Sequence, residues 1–195
     1  MGKVKHLDKI LKLFDKSPVV DFKSIFRIIG KQDYAKLVVS NLLRKKKIFK
    51  LAKGFYTKNN ENELAVFGFM PSYIGLQSAL SYYKLWEQET IPIILTSKNI
   101  RGGIRRIIDG NVFIKKMDKK YLFGFRYYKE NSFYLPYSDI EKTFIDMIFF
   151  KQNISNEVFI DIKKRIDRKK LGIYLKKYPE EFRKKVSGLL SHNNL

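Results

Sequence analysis

The stretch Lys31–Thr57, KQDYAKLVVSNLLRKKKIFKLAKGFYT, decides how the chain is read. Ala35, Val38, Val39 and Leu42 recur at the i, i+3, i+4, i+7 spacing of one helical face, and Asp33 stands where a side chain caps a first turn. Lys36, Ser40, Arg44 and Lys47 fall opposite that stripe, so the helix has a dry face for packing and a mostly cationic face for an anion. Ile48 to Leu51 and Phe55 to Thr57 are rich in β-formers and flank Ala52-Lys53-Gly54, which predicts a short hairpin with glycine at its turn. A helix running into a basic hairpin is the second half of a winged helix-turn-helix, whose helix enters the DNA major groove and whose wing touches the flanking backbone. The plainer alternative is a surface helix and hairpin whose lysines only keep the chain in solution.

Upstream, Val4, Leu7, Leu11 and Phe14 form a helical stripe closed by Ser17-Pro18, and Asp21 can cap a second helix carrying Phe22, Ile25, Phe26 and Ile29, with Gly30 at its end. Three short helices and a hairpin complete a winged-helix count within residues 1–60. Lys31 and Gln32 read as the tight turn of the motif. Gln32 then stands with the DNA-binding residues at the leading edge of the helix, Tyr34, Lys36 and Ser40 are the candidates for groove contacts, and Arg44, Lys45, Lys46, Lys47, Lys50 and Lys53 are placed for phosphate, which fixes register and carries little sequence information.

Downstream, KNNENE at residues 58–63 is polar without periodicity and reads as a linker, so a second domain is expected over residues 64–195. In it, Pro71-Ser72 opens a predicted helix bearing Leu76, Ala79, Leu80 and Tyr83. Ile91–Thr96, Asn111–Lys116, Tyr121–Tyr128 and Phe133–Leu135 are strand candidates for a small antiparallel or mixed sheet. Ser138 and Glu141 have capping-box spacing ahead of a helix with Ile140, Phe144, Met147 and Ile148 inward, and the remainder is helical, with a frayed SHNNL end. The expected class is α+β: a winged helix-turn-helix followed by a mixed α/β domain with a small sheet and a helical tail.

The 195 residues carry a net charge of +21, unevenly placed. Residues 1–60 hold 16 Lys+Arg against 4 Asp, residues 61–150 hold 12 against 10, and residues 151–195 hold 12 against 5. A lysine-rich genome accounts for abundant lysine, yet not for its avoidance of the middle; a polyanion partner accounts for both. Without cysteine there is no disulfide, thiolate metal site or cysteine nucleophile, and no apolar run is long enough to span a bilayer. With a charged amphipathic N-terminus in place of a signal peptide, the expectation is a cytoplasmic protein with no membrane partner.

Little here is built for catalysis. The two histidines, His6 and His192, lie near opposite termini, and there is no P-loop or GxGxxG, so neither an enzyme nor a cofactor is expected. Gly102-Gly103 in IRGGIRR reads as a loop, with Arg101, Arg105 and Arg106 near enough to meet a phosphate. Asp118-Lys119-Lys120 and Asp161-Ile162-Lys163 match the acid-x-Lys pattern of metal nucleases but fall in a predicted turn and helix rather than on strands. Tyr82, Tyr83, Trp86, Tyr127 and Tyr128 could stack on bases, but with 12 Tyr and 16 Phe most rings must build core.

The order of features resembles the AbiEi-type antitoxins of bacterial and archaeal toxin–antitoxin systems. The matching residues are LLRKKKIFKLAKGFYT, PSYIGLQSALSYYKL followed by IPIILTSK, and LPYSDIEKTFIDMIFF, so that the resemblance covers roughly Asp21 to Phe150. It implies a DNA-binding repressor of its own operon that counters a nucleotidyltransferase-like toxin without a stable complex, repressing through the winged helix and acting as antitoxin chiefly through the second domain. The partner is then double-stranded promoter DNA, read by Lys36, Ser40 and Arg44 with Lys50 and Lys53 on the wing. Lys163, Lys164, Arg165, Lys169 and Lys170 form either a second nucleic-acid face or solvated surface. Two rivals stand beside this reading: a stand-alone transcription factor whose second domain dimerises or senses a ligand, and a metal-dependent nucleic-acid enzyme, which needs Asp109, Asp118, Asp139 or Glu141 to converge.

Overall fold

The structure is a computed structural model that describes residues 2–191, with side chains from His6 onward. The Val4 side chain, His192 and the predicted fraying after Ser191 lie outside what is described. The fold is a mixture of helices and sheets, compatible with the α+β class.

Three helices come first: α1 (Gly2–Lys16), α2 (Phe22–Ile29) and α3 (Gln32–Arg44). Strand β1 (Val20–Asp21) precedes α2, while β2 (Phe49–Ala52) and β3 (Phe55–Thr57) follow α3, and the three strands form an antiparallel sheet in the order β1-β3-β2. Asp21 caps α2 by accepting from the Ser24 amide at 2.8 Å, which holds its carboxyl below the usual carboxylate range, and Gly30 closes the helix in the left-handed conformation. The predicted stripes converge in part: Phe14, Ile25, Val39 and Leu42 join Ile10, Val20, Ile48 and Tyr56 in one buried cluster, whereas Leu7 and Phe26 remain exposed and Ile10 takes the central place on α1.

Two details of α3 differ from expectation. The helix begins at Gln32 after Lys31, which makes no side-chain cap, and Asp33 lies inside the first turn with its carboxylate on Lys36 at 3.2 Å. An acid in the first turn still suits the helix dipole.

The second sheet has six strands rather than four: β4 (Ser72–Ile74), β5 (Ile93–Thr96), β6 (Gly103–Ile107), β7 (Gly110–Lys116), β8 (Phe125–Glu130) and β9 (Phe133–Ser138). Their order is β6-β7-β5-β4-β9-β8, with β4/β9 and β5/β7 parallel and the other pairs antiparallel. Helix α4 (Gln77–Tyr82) starts only after β4, because Ser72–Ile74 is drawn into the sheet centre. IRGGIRR is not a loop but the entry to β6, an edge strand paired to β7 from Gly103 to Ile107.

Both faces of the central strands are buried, so they read as apolar runs instead of alternating ones. Tyr73, Ile93 and Leu95 face α5 (Ile140–Phe149), α6 (Asn156–Arg165), α7 (Arg168–Leu175) and α8 (Glu180–Ser191). Ile74, Ile94, Val112 and Ile114 face a 3-10 stretch, Asn62–Phe69, and with it Leu51 of β2. The hairpin therefore shares a core with the six-stranded sheet. Gly68 marks how close that approach is, since a Cβ there would lie 2.5 Å from the Ala52 Cβ.

Candidate nucleic-acid interface

Helix α3 is held from behind by Ala35, Val39 and Leu42, all buried, which leaves Gln32, Lys36, Ser40 and Arg44 outward and Tyr34 half-buried. Leu37, on this same polar side, is 55% exposed. Single exposed apolar side chains are common on this surface, and this one is of the type that can meet a thymine methyl in the major groove. Lys36 pairs with Asp33, and Arg44 donates to the Asn41 side chain at 3.0 Å, so both are steadied along the helix while remaining exposed.

The turn from α3 into β2 carries Lys45, Lys46 and Lys47, all exposed. The Lys45, Lys46 and Lys47 amides are satisfied by the carbonyls of Asn41, Leu43 and Leu42, a closure that puts Lys46 at a φ of 51°. Glycine is the favoured residue at such a position. Lys46→Gly is therefore expected to stabilise the fold by a few tenths to about 1 kcal/mol in urea unfolding while weakening DNA binding, which a titration on the same preparation would read. Across the hairpin, Gly54 makes the turn at φ 80°, Lys50 and Lys53 project outward, and the register shifts between Lys50 and Ala52. The ten predicted residues thus lie on α3, the turn after it and the hairpin that follows.

Two of the five residues of the C-terminal set are engaged between helices. Arg165 donates to the Tyr83 carbonyl at 2.9 Å, tying α6 to the end of α4, and Lys164 pairs with Asp161 at 3.0 Å. Lys170 bridges Asp139 at 3.0 Å and Glu141 at 2.7 Å, and these two carboxylates keep its ammonium charged against the cost of partial burial. Lys163 is half-buried and engaged, and Lys169 is exposed. Arg165 and Lys170 thus fasten helices to one another.

The same contacts bear on the four acids of the enzyme rival. Asp139 and Glu141 do converge, but on the Lys170 ammonium; Asp109 lies in the β6–β7 turn and Asp118 before a 3-10 turn. No cluster of three or more potential metal ligands occurs among the described residues. Helix α5 begins one residue later than the Ser138–Glu141 spacing implied. Asp139 is the cap, accepting from the Lys142 amide at 2.8 Å, while Glu141 reaches across to the Asp167 amide at 2.9 Å.

One constellation has no counterpart in the sequence patterns. Every residue from Glu141 to Ile148 is buried, including Lys142 and Asp146, which pair directly, and Tyr73 donates to the second Asp146 oxygen at 2.7 Å. Burial pushes the Asp146 carboxyl up and the Lys142 ammonium down, each opposed by the other's charge. In the sequence Lys142, Thr143 and Asp146 form one polar stripe of the helix, which by pattern reads as facing water, so its burial is set by tertiary packing alone.

No protein-family model matches the chain, and no curated protein matches it. Among solved structures it is similar to the RV2827C protein from Mycobacterium tuberculosis, with a TM-score of 0.63 and 10% identity over 95% of this chain and 76% of that one. At such identity the likeness concerns the fold alone, which the two share over nearly the whole of this chain. Among the described residues no helix is long and apolar enough to cross a membrane.

Proposed function

We propose that the protein binds double-stranded promoter DNA as a transcriptional repressor, with α3 in the major groove and the β2–β3 hairpin as a wing on the adjoining backbone. The observation that carries this reading is the outward face of α3 and its continuation. Lys36, Ser40, Arg44, Lys45, Lys46, Lys47, Lys50 and Lys53 are all exposed on consecutive elements, where Asp33 alone offers a paired carboxylate. An N-terminal unit of three helices with a β1-β3-β2 sheet is the element count of a winged helix-turn-helix, and its buried stripe explains why α3 turns this face outward.

The resemblance to AbiEi-type antitoxins supplies the biological role, which is repression of the protein's own operon and protection against a nucleotidyltransferase-like toxin encoded beside it. The direct test is a titration of the purified protein with its own upstream DNA and with scrambled DNA of equal length across a salt series. Selective binding that weakens steeply as salt rises is expected. Equal binding to both sequences would refute the repressor. Co-expression with an adjacent nucleotidyltransferase-like gene tests the second half, growth rescue being the expected result.

A further inference from the structure

Between the hairpin and the edge of the six-stranded sheet runs a cleft of about 540 Å³. One wall is β2 and its turn, with Lys50 and Lys53; the other is Lys98, Arg105 and Arg106, on and before β6; Phe69, Ile100 and Ile107 lie between. Five cations line it and no carboxylate does. None of the five takes part in an ion pair among the described residues. Gathering like charges without an internal counter-ion costs folding energy through self-repulsion, a cost that an external anion removes.

Two of these cations are already aimed. Lys98 Nζ donates to the Gly68 carbonyl at 3.1 Å and stands 5.7 Å above the Phe55 ring. The Arg105 guanidinium lies 5.6 Å from the centre of the Phe69 ring and donates to the Arg101 carbonyl at 2.6 Å. An ammonium has three donors and a guanidinium five, so each keeps most of its capacity for a ligand while its side chain is steadied beforehand. Because Leu51 and Ile107 share one buried cluster, the two walls are fixed relative to each other.

We propose that the cleft seats a phosphodiester strand of duplex DNA where it leaves the wing, so that the second sheet enlarges the DNA footprint. The proposal rests on the DNA-binding reading above. It commits to DNA over an acidic protein because one wall is the wing itself: β2 follows α3 after the Lys45–Lys47 turn, and the cleft that Lys50 and Lys53 line continues to Lys98 and to Arg105, which shares the Ile107 face of β6.

The test compares the wild-type protein, Lys98→Gln with Arg105→Gln, and Lys36→Ala with Arg44→Ala on the protein's own upstream DNA, after thermal melting has established that each variant is folded. The cleft variant is expected to lower the slope of log affinity against log salt by about 2, to lose roughly tenfold in affinity at moderate salt, and to lose hydroxyl-radical protection only at the flank of the footprint. A cleft variant with wild-type affinity, slope and footprint overturns the cleft proposal and leaves the α3 reading standing, provided the α3 variant is weakened. Loss in the cleft variant with none in the α3 variant keeps the cleft and refutes the major-groove assignment. Tighter wild-type binding to single-stranded than to duplex DNA, or wild-type DNA binding in a cleft variant that has lost retention on an acidic protein partner, overturns the duplex assignment.

Discussion

Asp146→Ala is expected to destabilise the protein by about 3–5 kcal/mol, the cost of leaving a buried charge without its partner. Lys142 and Asp146 are both 0% exposed, one turn apart on α5, the helix at the centre of the C-terminal layer. The Lys142 ammonium also lies 5.5 Å from the Tyr73 ring and 5.2 Å from the Phe123 ring, so with Asp146 gone it would be left against aromatic surface with Asp139 as its remaining opposite charge, and the Tyr73 hydroxyl would keep only the Met117 sulfur as acceptor. Against the roughly 5–15 kcal/mol that separates folded from unfolded domains, such a loss is close to unfolding.

The double variant Lys142→Met with Asp146→Leu removes both charges at similar volume and is expected to fall within about 1–2 kcal/mol of the wild type or above it. Urea unfolding by circular dichroism separates the two cases. An Asp146→Ala protein that unfolds within about 1 kcal/mol of the wild type would mean that water reaches the pair and that the pair is not the interior anchor of α5.

That pair also marks where reading the sequence stops. The N-terminal helices were legible because each has a local signature: a stripe at helical spacing, a cap at Asp21, a stop at Gly30, a hairpin turn at Gly54. Helix α5 was legible as a helix, yet not in its interior chemistry, because Lys142 and Asp146 are polar by type and become core only once β4, α6, α7 and α8 enclose them.

Strand β4 was invisible for a related reason. Three residues long and preceded by Pro71, it carries no pattern of its own and is created by non-local pairing with β5 and β9. Strand β6 was masked by Gly102-Gly103, which locally favour a turn and which pairing with β7 overrides. The basic residues tell the same story at the surface. Spacing placed Lys36 and Arg44 on the open face of α3, but only tertiary structure separates Lys170, drawn onto Asp139 and Glu141, from Arg105, left on the cleft wall without a carboxylate.

Lys36→Ala with Arg44→Ala is the second large effect expected, a loss of roughly tenfold to a hundredfold in affinity for the protein's own upstream DNA with little change in stability. Stability is spared because both side chains are exposed. The Lys36–Asp33 pair is an i, i+3 surface contact worth at most about 1 kcal/mol, and the Arg44–Asn41 bond is equally local. Binding is not spared, since two cations leave the face proposed to meet the groove, and the slope of log affinity against log salt should fall by about 1, the phosphate contact assigned to Arg44.

The single variants apportion the roles. Arg44, in the last turn beside Lys45, Lys46 and Lys47, is placed to meet backbone, so Arg44→Ala should weaken upstream and scrambled DNA alike. Lys36 stands beside Leu37 on the exposed middle of α3, so Lys36→Ala should weaken the upstream sequence more than the scrambled one and narrow the ratio between them. Unchanged affinity of the double variant at moderate salt would remove α3 from the interface, and the exposed cations of the cleft would then be the surface that holds the polyanion.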